Sequence, residues 1–191
     1  MDAANIQGMM NMLEAVRLQG VTRFVFASSN HAVGMYGRDR RTGPDNMARP
    51  DTRYGLSKAF GESACSLYAD KHGMRCLSIR IGNVAEQPDD IRKMSLWLHP
   101  DDLMQQCVIG LEHPKLHNAV VFGVSDNARG FWDNKVAFDL GYRPQFRAED
   151  YLAAAEEGQA NLDPDPIGDR FVGGGFAAKE FDGDVERTLR S

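Results

Sequence analysis

Tyr54 and Lys58 stand at i and i+4 in the run Tyr-Gly-Leu-Ser-Lys. That spacing puts both side chains on one face of a helix, a turn apart. A phenol titrates at about 10 in water and is a poor base at neutral pH. An ammonium group beside it stabilises the phenolate and lowers that value. Such a pair can take a proton from an alcohol while a hydride leaves the carbinol carbon. Upstream, Ser29 closes a β-rich run, where a hydroxyl can hold the reacting oxygen against the tyrosine. Each feature also has a plainer reading. Tyr-x-x-x-Lys occurs in helices without chemistry, and a serine at a strand end can simply satisfy a loop amide. The three residues together are far more specific than any one of them.

These side chains need elements to carry them. Residues 5–19 lack proline, are rich in Met, Leu and Ala, and place Ile6, Met9, Met10, Leu13 and Val16 at helical spacing. This predicts a helix with Gly20 as its C-cap. Residues 23–27 read as a buried strand with Ser28–His31 at its carboxyl end, and residues 37–53 as a long loop. A helix over 54–72, closed by Gly73, carries the Tyr and Lys. A strand follows at 76–81, then a helix from a cap at Asp101 or Asp102 to about Leu111. A strand at 120–123 and helices at 133–142 and 149–160 precede an irregular tail. Alternation of this kind predicts an α/β fold, a Rossmann-like parallel sheet with flanking helices. Residues 1–130 form its sheet-bearing part, and 131–191 a small substrate-side region with a tail. Ligands in such sheets bind beyond the carboxyl ends of the strands. That points at Ser28–His31, Gly82–Val84 and Gly123–Asn127.

Composition narrows the classes. The 191 residues carry 22 Lys and Arg against 27 Asp and Glu, for a net charge of -5. No basic face is available for phosphates, which argues against nucleic-acid binding. No apolar run is long enough to cross a membrane, and the first residues lack the pattern of a secretory signal. Cys65, Cys76 and Cys107 are odd in number and have no metal-type spacing. They read as reduced thiols of a cytoplasmic protein. His72, His99, His113 and His117 show no paired ligand spacing, so no metal is expected. Gly173-Gly174-Gly175 follows no strand and does not qualify as a phosphate loop.

The segments FVFASSNHAVGMYG, RPDTRYGLSKAFGE and LSIRIGNV resemble the extended short-chain dehydrogenase/reductase family, the NAD-dependent epimerases and dehydratases. NIQGMMNMLEAV resembles the helix before that family's serine strand. FASSNH, ARPD, YGLSKAFGE, RIGN, RKMSLW followed by HPDD, and WDN bring it nearest to bacterial uronate dehydrogenases. The resemblance implies NAD-dependent oxidation of D-galacturonate or D-glucuronate at C1 to an aldarolactone. By position it implies Tyr54 as general base, Lys58 as the lysine on the nicotinamide ribose, and Ser29 as the partner of the reacting hydroxyl. It puts Asn30, His31 and Asn83 against the substrate, and Ile81 with Tyr54 and Lys58 in the cofactor-binding set. Asn83 stands where a small hydroxyl residue is expected, and it can still donate and accept. Arg92 corresponds to the arginine on the sugar carboxylate, a role that suits a planar guanidinium. Its plainer reading is a solvated loop arginine beside Asp89 and Asp90. A homodimer through helices 5–19 and 54–72 is implied as well.

A full member of that family opens with a strand and a Gly-rich turn that cradles the pyrophosphate at a helix N-terminus. These residues hold no Gly-x-x-Gly-x-x-Gly after a strand. The expectation is a chain beginning after the fourth strand, short of roughly 75–80 residues of a mononucleotide-binding half, inactive alone, with an open sheet edge at 23–27. Two alternatives stand beside the dehydrogenase: a nucleotide-sugar epimerase or dehydratase, and a catalytically silent binding protein that keeps the fold.

Overall fold

The computed structural model describes residues 2–191. A π-helical stretch at Asp2–Gln7 runs into helix α1, Gly8–Leu18. The chain turns at Gly20, whose φ is 72°, and enters strand β1, Arg23–Ser29. After a single turn of 3-10 helix at Asn30–Val33 and a long loop comes helix α2, Arg53–His72. Its N-cap is Thr52, which accepts from the Gly55 N–H at 3.1 Å. Its end is set by Gly73 in the left-handed region at φ 67°, a conformation that costs a glycine least.

Strand β2, Arg75–Ile81, pairs in parallel with β1 on one side. On its other side it pairs with a strand at Asn118–Gly123. Between them lie two short strands, β3 at Asn83–Val84 and β4 at Trp97–Leu98, and helix α3 at Pro100–Glu112. The strand at Asn118–Gly123 is therefore β5, and the main sheet has the order β1-β2-β5. Its register aligns Ser29 with Ile81 and Ile81 with Gly123. The carboxyl ends of all three strands thus open at one edge of the sheet. β1 lies at one side of this sheet, paired with β2 alone among the described residues.

Successive strand residues face opposite layers. Cys76 packs with Met9, Leu13, Ala64, Cys65 and Tyr68 beneath α1 and α2. Leu77 and Ile79 pack with Val121, Leu116 and Tyr142 on the α3 side. The α/β reading therefore holds, with parallel strands and helices on both faces. Several local expectations need correction. The cap of α3 is neither Asp101 nor Asp102 but His99, whose Nδ1 accepts from the Asp101 N–H at 3.2 Å. Asp102 is instead buried and accepts from Ser125 Oγ at 2.6 Å and from the Gln145 N–H at 2.8 Å. The helix expected at 133–142 shrinks to α4, Lys135–Asp139. The one expected at 149–160 becomes a 3-10 turn followed by α5, Leu152–Gln159. The small β3–β4 sheet was not foreseen, since two-residue strands leave no periodic signal.

The tail has more order than its composition suggests. It carries two short helices, α6 at Gly175–Ala178 and α7 at Val185–Arg190. Just before α6 the chain folds back antiparallel onto the loop after β1. Val172 N–H donates to the Tyr36 carbonyl and Gly173 N–H to the Gly34 carbonyl, both at 2.9 Å. Val172 and Trp132 then pack with Val33, Tyr36 and Phe122. This return brings Gly173, Gly175 and Phe176 to the carboxyl edge of the sheet.

Candidate active site

At the end of β1 the chain dives into the turn at Asn30–Val33. Ser29 caps that turn, its Oγ accepting from the His31 N–H at 3.3 Å and donating to Asn30 Oδ1 at 3.4 Å. The plainer role foreseen for a strand-end serine is thus realised in this state. The first turn of α2 lies directly against this corner. A Cβ at Gly55 would collide with the His31 carbonyl, so only a glycine permits the approach. The rings of His31 and Tyr54 consequently meet edge to face, 5.8 Å between centroids. Lys58 reaches back to donate to the Ala27 carbonyl at 2.8 Å, with its Nζ 5.3 Å from the Tyr54 ring centroid. Partial burial pushes the Lys58 ammonium below the usual lysine range.

Beneath this pair, one more turn along α2, Glu62 grips Arg80 of β2 through two bonds of 2.9 Å and accepts from Ser28 Oγ at 2.5 Å. All three side chains are buried. This network ties α2, β1 and β2 together one turn of α2 beyond Lys58. Neither Glu62 nor Arg80 was singled out from the sequence, although YGLSKAFGE contains the glutamate.

Arg92 sits just before the 3-10 turn at Lys93–Ser95. Its Nη2 donates to the Val172 carbonyl at 2.8 Å, and its Nε is buried without a partner. A Cβ at Gly174 would strike the guanidinium, so the glycine run lies across it. Burial lowers the Arg92 pKa, against the pull of Asp90, Asp169, Asp165 and Asp51. The neighbours that could have solvated it choose Lys93 instead, whose Nζ is 2.7 Å from Asp89 and 3.3 Å from Asp90. The solvated-loop reading of Arg92 therefore fails, because the folded-back tail covers the side chain.

Asn30, His31, Asn83, Arg92, Gly173 and Phe176 share a cavity of about 220 Å³. Asn83 presents a buried Oδ1 that has no protein partner. Tyr54 lines an adjoining cavity of about 170 Å³ together with Asp51 and Phe176. Phe176 is thus the wall common to both, and its ring lies tilted against that of His31, 4.4 Å between centroids. Ile81 stands in register with Ser29 at the strand edge. Asp51, Gly173 and Phe176 were missed from the sequence. The ARPD segment did contain Asp51, but no spacing rule marks a loop carboxylate as a partner of His31. Gly173–Gly175 was rejected as a phosphate loop, and its place here is across an arginine.

The site thus has a tyrosine and a lysine on one helical face, a serine at the end of the preceding strand, and an arginine in the cavity next to the tyrosine's. The chain matches the NAD dependent epimerase/dehydratase family over residues 2–95, a span that contains Ser29, Tyr54, Lys58 and Arg92. The chain belongs to this family. Among curated members, a uronate dehydrogenase of Pseudomonas putida is 43% identical over 91% of this chain. One from Agrobacterium fabrum is 41% identical over 90%. The chain spans 64% and 65% of the length of these two relatives. Among solved structures, the uronate dehydrogenase of Agrobacterium tumefaciens superposes with a TM-score of 0.86 at 40% identity, over 92% of this chain and 66% of that one. A glucuronic acid dehydrogenase from Chromohalobacter salexigens gives 0.87 at 42%, over the same shares. A UDP-galactose 4-epimerase, at 22% identity and a TM-score of 0.60, shares the fold.

Proposed function

We propose that this chain carries the substrate and proton-transfer side of a NAD-dependent uronate dehydrogenase site, which oxidises D-galacturonate or D-glucuronate at C1 to an aldarolactone. The observation that carries this reading is Arg92. A half-buried guanidinium with an unpartnered buried Nε borders a cavity also lined by Asn30, His31, Asn83 and Lys93. Lys93 is already paired with Asp89 and Asp90, so Arg92 is the cation left for a ligand, among neutral hydrogen-bonding groups, a set suited to a polyhydroxylated monocarboxylate. The 40–43% identity to uronate and glucuronic acid dehydrogenases supports the same substrate class.

In this reading Arg92 grips the C6 carboxylate, and Asn30, His31 and Asn83 bind ring hydroxyls. Tyr54 Oη takes the proton of the C1 hydroxyl as the C1–O bond gains double-bond character. Ser29 gives up its contact with Asn30 and holds the same oxygen. Lys58, kept beside the phenol by the Ala27 carbonyl, favours the anionic form of the tyrosine. NAD, when bound, supplies the acceptor for the C1 hydride. Tyr54, Lys58 and the backbone at Ile81 fit the nicotinamide-ribose end of that cofactor: Lys58 is a desolvated cation one turn from Tyr54. The described residues offer no Gly-rich turn for its pyrophosphate. Residues 131–191 serve as the substrate side through Gly173 and Phe176. We further infer a cytoplasmic setting, in keeping with the free buried thiols of Cys65 and Cys76. No helix among the described residues is long and apolar enough to cross a membrane. A homodimer through α1 and α2 belongs to the same reading, supported by Met12, Leu18, Leu56 and Leu67 in solvent.

The test is NADH formation with D-galacturonate, D-glucuronate and their uncharged parent sugars. It uses this chain alone and this chain fused behind a Gly-rich mononucleotide-binding half. The reading expects turnover of the uronates over the parent sugars in the fused protein. Equal use of charged and uncharged sugars would remove Arg92 from its assigned role.

A further inference from the structure

We infer that Asp51 is a positioning residue. Its carboxylate holds His31 in the tautomer protonated on Nδ1, so that Nε2 meets the cavity as a lone-pair acceptor for a sugar hydroxyl. The nature of the ligand rests on the uronate reading above, whereas the tautomer does not depend on it.

Asp51 has a fully buried side chain, and its Oδ2 lies 2.6 Å from His31 Nδ1. An ionised carboxylate only accepts, so a contact of that length requires the proton on Nδ1. The orientation of the carboxylate is fixed from its other end. Thr52 Oγ1 already accepts from the Gly55 N–H at 3.1 Å, which leaves its own proton for Asp51 Oδ1 at 2.9 Å. Space is made by glycines from two other segments. A Cβ at Gly34 or at Gly173 would collide with Asp51 Oδ2. Two stretches of chain distant in sequence therefore give up a side chain at the point where this oxygen meets the imidazole.

With Nδ1 engaged, Nε2 has no hydrogen-bond partner among the described residues, and the ring borders the cavity shared with Arg92 and Asn83. Which ring nitrogen carries the proton is set by the bond the other one makes. Arg92 brings only donors to the cavity. A sugar hydroxyl that donates needs an acceptor there; the Asn83 Oδ1 is one, and an imidazole held by Asp51 through Nδ1 supplies a second at Nε2. The same carboxylate touches the N-cap of α2, two residues before Tyr54. The acceptor and the helix that carries the phenol are thereby held as one unit.

Long-range proton–nitrogen correlation spectra of the nitrogen-labelled 191-residue chain at pH about 8, where an ordinary imidazole is neutral, read the tautomer directly. His31→Gln assigns the signal by removing it. The expected pattern is a protonated Nδ1 and an unprotonated Nε2. In Asp51→Asn the Thr52 hydroxyl keeps donating to Oδ1, so the new amide NH2 faces Nδ1 and drives the proton to Nε2. A protonated Nε2 in the unaltered chain overturns the inference, whether or not the variant folds, and so does an unchanged tautomer in a folded Asp51→Asn. Titration of both chains with D-galacturonate then reads the consequence: binding should weaken about tenfold in Asp51→Asn, the cost of one misdirected hydrogen bond. Equal affinity would overturn the acceptor role of Nε2. If the unaltered chain shows the expected tautomer and ignores galacturonate, the uronate reading fails while the assignment of Asp51 stands.

Discussion

At the scale of single residues, Tyr54 and Arg92 make separable demands. Tyr54→Phe removes the proton acceptor and little volume. Turnover by the fused enzyme should fall to background, while galacturonate still binds with nearly unaltered affinity by calorimetry. Loss of binding in parallel with turnover would mean that the phenol is mainly a contact. Arg92→Ala removes a charge-assisted contact worth about 1.5–3 kcal/mol, or about ten- to a hundredfold in kcat/KM. Arg92→Lys should recover part of that, since it keeps the charge and loses the planar fork. The loss should be confined to the uronate, with the neutral parent sugar unaffected. A comparable loss on both substrates would show that Arg92 serves the Val172 contact and the tail rather than the ligand.

At the scale of elements, α2 is held by one buried ion pair to β2 and by one hydrogen bond to α1, and they should behave differently. Glu62→Ala strands the Arg80 guanidinium, 3% exposed, without its partner. An uncompensated buried charge costs about 3–5 kcal/mol, measurable by urea unfolding. Replacing both members, as Glu62→Leu with Arg80→Met, should recover most of that loss, because the desolvation penalty vanishes with the charges. On the surface, Glu14 of α1 meets Arg17 at 2.6 Å and accepts from the Tyr68 hydroxyl of α2 at 3.1 Å. The bond from Arg17 above all, then the Tyr68 hydroxyl and the charge of Arg17, hold the Glu14 carboxyl down at about 2, against a partial desolvation. A depressed folded value stabilises the fold above the ordinary carboxylate value and is lost as the pH falls from there towards 2. Carbon-detected titration of the Glu14 carboxylate should show this depression at low salt and less of it at high salt, because the pair is screened. A midpoint at the ordinary value in both would show that neither Arg17 nor the Tyr68 hydroxyl of α2 holds the carboxylate.

At the scale of the whole molecule, α1 and α2 leave Met12, Leu18, Leu56 and Leu67 between 46% and 66% exposed. Each helix already buries its other face against the chain's own core. Apolar side chains on two adjacent packed helices mark a surface suited to a second copy. Light scattering at tens of micromolar should return the mass of a dimer, and Met12→Glu combined with Leu67→Glu should return that of a monomer. A monomeric mass for the unaltered chain would count against the homodimer. β1 presents an unpaired edge among the described residues, which is a second place for chain-to-chain pairing. A dimer that survives both substitutions would point there instead.

What the sequence alone determined about this protein is what local physics writes into short stretches. Apolar spacing and glycine caps marked α1, α2 and the ends of both, and β-rich runs marked β1, β2 and β5. The i, i+4 rule put Tyr54 and Lys58 on one face, and the strand-end rule put Ser29 at the carboxyl edge of the sheet. Where local signals weaken, the reading slipped. Two-residue strands have no period, and the acidic pair at Asp101 and Asp102 looked like a cap until Ser125 and the Gln145 N–H claimed Asp102. Only the tertiary structure decided who meets whom across long separations. It gave Asp89 and Asp90 to Lys93 rather than Arg92, and brought Phe176 and Gly173 from the tail to the cavity. It also set Asp51 against His31 between glycines from distant segments. Such partnerships depend on strand register and on the return of residues 170–173 along 34–38. No spacing within either segment carries that information, because the energy that selects it comes from burial shared between them.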